Sequence, residues 1–478
     1  MHRLAILALA ALPFQAMAQG GPDLALTGAV PFTQTVLIEN LNAPWELTYG
    51  PDNMLWVTER AAGQILRIDP ITGESHVAAM IDEVSAPGWQ DGLLGMALHP
   101  ELLEGTGQDI VYAAYTYVDP DLPADPAISD ARSPYAHLYA KIVQLTYDPG
   151  TGLLSDPVTV IDGLPAGSDH NSGRLKLGPD GMLYYTIGDM GNDQLGNWCI
   201  PIAAQTLPTA DQMAAGDYAA YEGKVLRIST DGTVPADNPV LNGVQSHVFS
   251  YGHRNQQGIT FGPDGTLYGI EHGPKTDDEV NVLVAGGNYG WPHVAGFRDD
   301  MAYQYAEWSE ATTPCETLIF SDITIDPSVP RTDETAWTAP MQDPLATLFT
   351  VPSDWNFEDP ACEGVNYICW PTVAPSSIEA YRPASGGIPG FDNALLVTTL
   401  KAGSVFRIPL TPDGLAATGP VERYFRTENR YRDLAVGPDG RTIYVATDIG
   451  GQFQALDGGV GDGVTHSGAI LVFTFDGP

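Results

Sequence analysis

The chain has 478 residues with 59 acidic and 21 basic side chains, a formal net charge of −38 at pH 7. A field of that sign repels polyanions, so nucleic acid and anionic lipid surfaces are disfavoured as partners; most of the acidity reads as solubility, and a calcium-collecting protein is compatible with it. No Cys-x-x-Cys-His run for an attached haem occurs among the four cysteines.

The first element, residues 1–18, has a basic tip, an apolar core over Leu4–Leu12 and the small-x-small run Ala16-Met17-Ala18. It reads as a secretory signal peptide, leaving residues 19–478 as one exported domain, periplasmic or secreted. No later run approaches the ~18 apolar residues of a membrane span. Cys362 and Cys369 are close enough in sequence to close a small loop, while Cys199 and Cys315 could pair or stay free.

From Gly50 onward a phrase recurs, Gly-Pro-Asp then Gly or Asn, running into apolar residues: Gly50–Glu59, Gly178–Asp189, Gly262–Glu271 and Gly437–Asp448, with looser copies at Leu98–Tyr117 and Ile388–Leu400. A period-two apolar stretch follows each copy, at Gly63–Gly73, Ala140–Gly152, Gly223–Gly232, Glu279–Gly290, Gly403–Gly414 and Ser467–Gly477. No helix-length amphipathic stretch competes, so the pairs predict antiparallel sheet units. Sheets that cannot each bury two faces alone stack radially. The expected fold is therefore all-β, a six-bladed propeller of four-stranded antiparallel sheets with long face loops; a β-sandwich with accidental turns is the alternative. Val118–Pro134, Gly196–Tyr221 and Met301–Asp343 break the repeat and read as face loops, where binding concentrates on a rigid scaffold.

Ser168–Arg174 stands just before the third blade's Gly-Pro-Asp-Gly phrase, which puts His170 at a strand entrance beside the central channel. A histidine there suits a general base, with Asp169 or the strand-end Asp189 to orient the ring; a structural histidine is the plainer reading. Gly252–Gly258 opens the fourth blade in the same way. Arg254 could meet charge developing on an oxygen, or brace a loop. Lys401 and the pair Arg430 and Arg432 add cations at blade entrances. Scarce basic groups gathered at an axis predict a compact anion with several carboxylates or phosphates, against the alternative of surface salt bridges. Glu271–Glu279 joins a Gly-Pro turn, whose carbonyls can point inward, to three adjacent carboxylates, with Asp299, Asp300 and Glu334 further along. Calcium is the functional reading of that run and a solvated acidic turn the default one.

Taken together, Asn42–Trp45, Thr58–Arg60, Gly92–Gly95, Asp169–Leu175, Tyr184–Asp189, Gly252–Gly258, Gly286–Pro292 and Asn366–Ser377 resemble the soluble quinoprotein (PQQ-dependent) glucose dehydrogenases and aldose sugar dehydrogenases, from about Thr33 to the C-terminus. The resemblance implies a six-bladed propeller carrying pyrroloquinoline quinone (PQQ) and calcium. It implies oxidation of glucose and related aldoses at C1 to the lactone, hydride going to the quinone and electrons to an external acceptor such as a cytochrome, quinone or dye. Members tend to be homodimers. His170 matches the family's base, Arg254 the arginine beside the quinone oxygen, and Asn255, Lys401, Arg430 and Arg432 the cofactor contacts. Gln90, Asp169, Gln194, Tyr367 and Trp370 match the sugar-side and cofactor-side wall. Calcium at the quinone would use the carbonyls of Gly273 and Pro274. Further calcium would use Glu279, Asp299 and Glu334 with backbone oxygens of Tyr289, Ala295 and Phe297. His272, Phe297 and Asp91 stand where the family has glutamine, tyrosine and asparagine; Asp91 and His272 border the site and bear on sugar preference, while Phe297 would act through its carbonyl, so its side chain should matter little. Two other classes fit a propeller: a calcium-dependent lactone hydrolase, and a module that binds sugars or proteins on its loops.

Overall fold

Each Gly-Pro-Asp phrase turns the chain from the innermost strand of a blade into its second, and the aspartate holds the turn. Asp52 Oδ1 accepts from the Met54 amide at 3.3 Å and from Trp56 Nε1 at 3.1 Å, while Arg67 on the third strand grips its other oxygen at 2.6 Å and 2.8 Å. Asp180 repeats the device with the Met182 amide, Tyr184 and Arg227.

The computed structural model describes residues 26–477, apart from Ala29, Pro126, Ala127, Ser129, Ala131, Arg382, Ala384 and Ser385. The expected signal peptide lies outside the described residues. Six sheets ring an axis; from the axis outward the first four follow chain order, while the fifth adds Leu26–Thr27 in parallel outside Glu422–Tyr424. The first takes Pro44–Tyr49, Leu55–Glu59, Gln64–Ile68 and Ser75–Met80. The third takes Leu175–Leu177, Leu183–Ile187, Lys224–Ile228 and Val248–Tyr251. The fourth begins with Gln256–Phe261 and Leu267–Glu271, the fifth with Pro375–Tyr381 and Ala394–Thr399. In the sixth, Tyr431–Val436, Thr442–Thr447 and Ile470–Phe475 are joined outermost by Phe32–Ile38, paired antiparallel from Phe32 with Phe475 to Ile38 with Ile470. The propeller expected from the repeat is the fold observed. The sole α-helix among the described residues is Ala210–Ala215, capped by Thr209 inside the Gly196–Tyr221 loop.

Second strands are buried on both faces because each face meets a different neighbour. Leu183, Tyr185 and Ile187 pack toward the second blade with Tyr112 and Ile142, while Tyr184 packs toward the fourth with Ile259 and Leu267. Alternation along the strand thus divides the side chains between two interfaces.

On the axis, a single guanidinium ties five of the blades. Arg174, fully buried in the third blade's loop, donates from Nη1 to Glu46 of the first at 2.6 Å and Asp433 of the sixth at 2.9 Å. Its Nε reaches the Gln257 carbonyl of the fourth at 3.0 Å and its Nη2 the Ser376 carbonyl of the fifth at 3.0 Å. The neighbouring Gly173 carbonyl accepts from Gly95 of the second blade at 3.0 Å. Lys176 adds a 2.9 Å ion pair to Glu46. Glu379 shares the lumen, where enclosure raises its carboxyl to about 7 against the pull of Lys176.

Arg174→Met strands two buried carboxylates and is expected to lower unfolding stability by roughly 3–5 kcal/mol, read from urea midpoints. Glu379 prefers its proton when folded; that stability is complete below the unfolded pKa and is lost as pH rises toward 7. Glu379→Gln should therefore leave the thermal midpoint unchanged near pH 4 and raise it at pH 8.

Candidate active site

Innermost strands begin, and second strands end, on one face of the ring, and the expected site residues cluster there. His170 and Arg254 precede the innermost strands of the third and fourth blades, and Arg432 lies within that of the sixth. Asp189, Gly273, Lys401 and Asp448 follow the ends of second strands.

The His170 loop is strained and locked. His170 and Ser172 have φ of 44° and 55°, in the left-handed region that ordinary residues avoid. The His170 amide is held by Gln90 Oε1 at 3.0 Å and Asp169 Oδ1 at 2.9 Å, and Gln90 Nε2 also bonds Asp169. A Cβ on Gly188 would lie 1.9 Å from the His170 carbonyl, so glycine is what lets the two loops meet.

Of the two candidate orienting carboxylates, Asp189 takes the role. His170 Nδ1 lies 2.6 Å from Asp189 Oδ1, which also accepts from the Gly191 amide at 3.0 Å. The other oxygen accepts from Gln194 Nε2 at 3.0 Å and Trp291 Nε1 at 2.8 Å. With Nδ1 turned to Asp189, the imidazole presents Nε2 as the nitrogen that can act as a base. Asp169 Oδ1 stands 3.8 Å from that Nε2. Gln194 carries the network onward, its Oε1 accepting from Arg254 Nε at 2.9 Å and Nη2 at 2.6 Å. The Arg254 guanidinium also lies 5.4 Å from the Trp291 ring centre. Asn255 accepts from Ser172 at 3.1 Å and Gln257 at 2.9 Å.

Cations gather opposite. Lys401 Nζ donates to the carbonyls of Tyr367 at 2.9 Å and Trp370 at 3.1 Å, and to Thr372 Oγ1. Burial pushes Lys401 down to about 7, with Asp278 pulling the other way; Asp278 in turn accepts from the Gly273 amide at 2.8 Å. Arg432 pairs with Asp448 at 2.7 Å and meets Gln257 at 3.3 Å. Arg430 bonds the Gln452 carbonyl, and its buried Nε has no partner among the described residues. Arg60 adds a further buried guanidinium, donating to the carbonyls of Asp91 at 2.7 Å and Gly88 at 3.0 Å. Burial and the charges of Arg254 and His170 hold His272 well below the usual histidine range, and its Nε2 bonds the Pro375 carbonyl at 2.9 Å.

The donor set could hold a multiply charged anion and, beside it, a cation. Lys401, Arg430, Arg432, Arg60 and Arg254 are faced by the carboxylates Asp278, Asp448, Asp91 and Asp322. Among the described residues, the carbonyl oxygens of Gly273, Pro274, Tyr289, Ala295 and Phe297 accept no hydrogen bond. Glu279 accepts from the Gly296 amide at 2.6 Å, and Glu334 from the Ala295 and Asp300 amides, each at 3.0 Å. Burial raises Glu334 to about 8 and Asp277 well above the carboxylate range, and Asp277 Oδ2 is buried without a partner among the described residues. No three carboxylate, histidine or cysteine side chains converge on a metal-sized point among the described residues, so a cation here would lean on backbone oxygens. Asp299 is exposed and accepts from the Met301 amide at 2.8 Å.

Tyr367 and Trp370 meet the site chiefly through their carbonyls. The Trp370 ring is buried with Nε1 on the Phe357 carbonyl at 3.1 Å, whereas the Tyr367 ring is exposed and its hydroxyl meets Gln452. Both cysteine pairs are disulfides: Cys362–Cys369 closes the short loop expected, and Cys199–Cys315, left open by the sequence, staples the two long loops. Arg60, Gln257 and Asp448 join the site without having been singled out. Arg60 and Asp448 were legible only as the residues just past second strands, the position that Lys401 also occupies.

Comparison with known proteins agrees with this architecture. A family model for glucose/sorbosone dehydrogenases matches residues 41–332. The chain is 42% identical over 448 residues to quinoprotein glucose dehydrogenase B of Acinetobacter calcoaceticus, covering 93% of this chain and 91% of that one. The PQQ-bound aldose sugar dehydrogenase from Streptomyces coelicolor superposes with a TM-score of 0.58 at 25% identity, over 93% of this chain and 99% of that one. The soluble aldose sugar dehydrogenase of Escherichia coli shares the fold, with a TM-score of 0.62 at 23% identity over 93% of this chain and 100% of that one.

Asp189→Asn must present an amide to groups that now donate to it, so the imidazole is expected to move its proton to Nε2. Long-range 1H–15N spectra of the His170 ring in the apoprotein would register the switch; an unchanged Nδ1–H would exclude Asp189 as the orienting group.

Proposed function

This chain belongs to the glucose/sorbosone dehydrogenase family, and on that premise we propose that it is a PQQ- and calcium-dependent aldose 1-dehydrogenase. It oxidises glucose and related sugars at C1 to the lactone and passes electrons to an external acceptor. The observation that carries the reading is the bonded line from Asp189 to His170 on one side and, through Gln194, to Arg254 on the other.

His170 Nε2 takes the proton of the C1 hydroxyl, and Asp189 stabilises the imidazolium that results. Asp169, close to that nitrogen and bonded to Gln90, orients a sugar hydroxyl, as do Gln90 and Gln194 with their amides. Arg254 offers fixed positive charge where an oxygen becomes negative. Lys401, Arg430, Arg432 and Asn255 would hold the cofactor's carboxylates and ring edge, and the free carbonyls of Gly273 and Pro274 would hold calcium. When bound, PQQ supplies the carbon that accepts hydride, with the ion as Lewis acid. Glu279, Asp299 and Glu334, with the carbonyls of Tyr289, Ala295 and Phe297, would hold further calcium. Export to an oxidising compartment suits the two disulfides, and no helix among the described residues is long and apolar enough to cross a membrane.

Apoprotein given PQQ, calcium and then glucose with a dye is expected to bleach the dye. His170→Ala should abolish turnover, by roughly 100-fold or more, while the quinone spectrum still reports binding. Undiminished turnover in that variant would refute the role. Because Lys401 is charged mainly below about 7, cofactor affinity of the apoprotein should weaken between pH 6 and pH 9, and Lys401→Met should flatten that dependence.

A further inference from the structure

Large apolar side chains stand exposed around the mouth of the site. Trp89, 67% exposed, precedes Gln90, and Leu195, 47% exposed, follows Gln194. Tyr367, 47% exposed, lends its carbonyl to Lys401. Ile319, 90% exposed, precedes Phe320 and Ser321, which line a crevice of about 340 Å3 that reaches Gln194 and Pro274. Exposed carboxylates share these loops: Glu310 and Glu316 near Ile319, Glu358 and Glu363 near Tyr367.

Both disulfides brace this rim. Cys199–Cys315 ties the loop after Leu195 to the insertion carrying Ile319, and Cys362–Cys369 spans Tyr367. Cys369 Sγ also lies 3.8 Å from the Gly458 carbonyl in a neighbouring hairpin that carries exposed Leu456 and Asp457. Apolar side chains held in water on fixed loops lose little freedom when covered, the property of a prepared docking surface.

Resting on the dehydrogenase reading, we propose that this rim docks a small basic electron-carrier protein whose redox centre is edged by an apolar patch. Two electrons and two protons leave each aldose that becomes a lactone. Two oxidised carriers each take one electron, and both protons go to solvent. A chain of net charge −38 steers a cationic carrier toward itself, and the apolar rim gives the encounter its short-range fit over the quinone-binding mouth.

The test uses a basic c-type cytochrome as probe, with two variants outside the catalytic machinery: Trp89→Ser with Ile319→Ser, and Glu358→Lys with Glu363→Lys. Thermal midpoints serve as the fold control. Calorimetry on the apoprotein should show salt-sensitive cytochrome binding that weakens at least fivefold in either variant. In the reconstituted enzyme, glucose-driven cytochrome reduction should fall at least fivefold while dye reduction stays unchanged. Cytochrome bound and reduced equally well by both variants would overturn the proposal. So would sedimentation showing a wild-type dimer that the Trp89→Ser, Ile319→Ser variant dissolves, since the rim would then belong to a second copy. A wild type that binds cytochrome but reduces no dye would overturn the dehydrogenase reading and leave the docking surface standing.

Discussion

The structure depends on one buried guanidinium. Arg174 reaches backbone or carboxylate oxygens on four blades besides its own, and it sits four residues from His170. Taking that charge out of water is costly, and two carboxylates plus two carbonyls offset the cost only if those four blades keep their places. The site above inherits that discipline. Arg60, His170, Arg254, Lys401 and Arg432 come from five different blades, so their mutual distances are set by how the blades meet rather than by any local element.

Charge is arranged against the grain of the whole molecule. Most carboxylates face solvent, whereas Arg60, Arg254, Lys401 and Arg432 are buried near one another on one face. Burial lowers Lys401 and Arg430, which marks the positive cluster as strained until an anion joins it. On the far side of Glu271, the reverse holds: Asp277, Glu279 and Glu334 are buried acids lacking cations. An anion on one side and a cation on the other relieve both mismatches.

How much of this was legible in the sequence follows from local physics. The turn phrase was readable because Asp52 and Asp180 bond within a few residues of themselves, and the second and third strands because their alternation serves two apolar interfaces. Innermost strands were not readable. They line a polar axis and most carry a bulge, as between Gln256 and Gly258 or Pro375 and Ser377, which breaks the period of two. His170, Asp189 and Arg254 lay in runs specific enough to single out. Arg60 lay in one too, Thr58–Arg60, but was given no role, because what makes it a member of the cluster is the proximity of Asp448 and Arg432, nearly the whole chain away. The Cys199–Cys315 bridge, 116 residues apart, is likewise a product of tertiary placement.

The outermost strand of the sixth blade, Phe32–Ile38, is borrowed from the beginning of the chain, while its partner Ile470–Phe475 comes from the end. Until the final residues are available the molecule can be no more than an unfinished arc with two bare sheet edges. Completion therefore acts as a proofreading step: a chain without Phe32–Ile38 or Ile470–Phe475 lacks the clasp and leaves sheet edges uncovered.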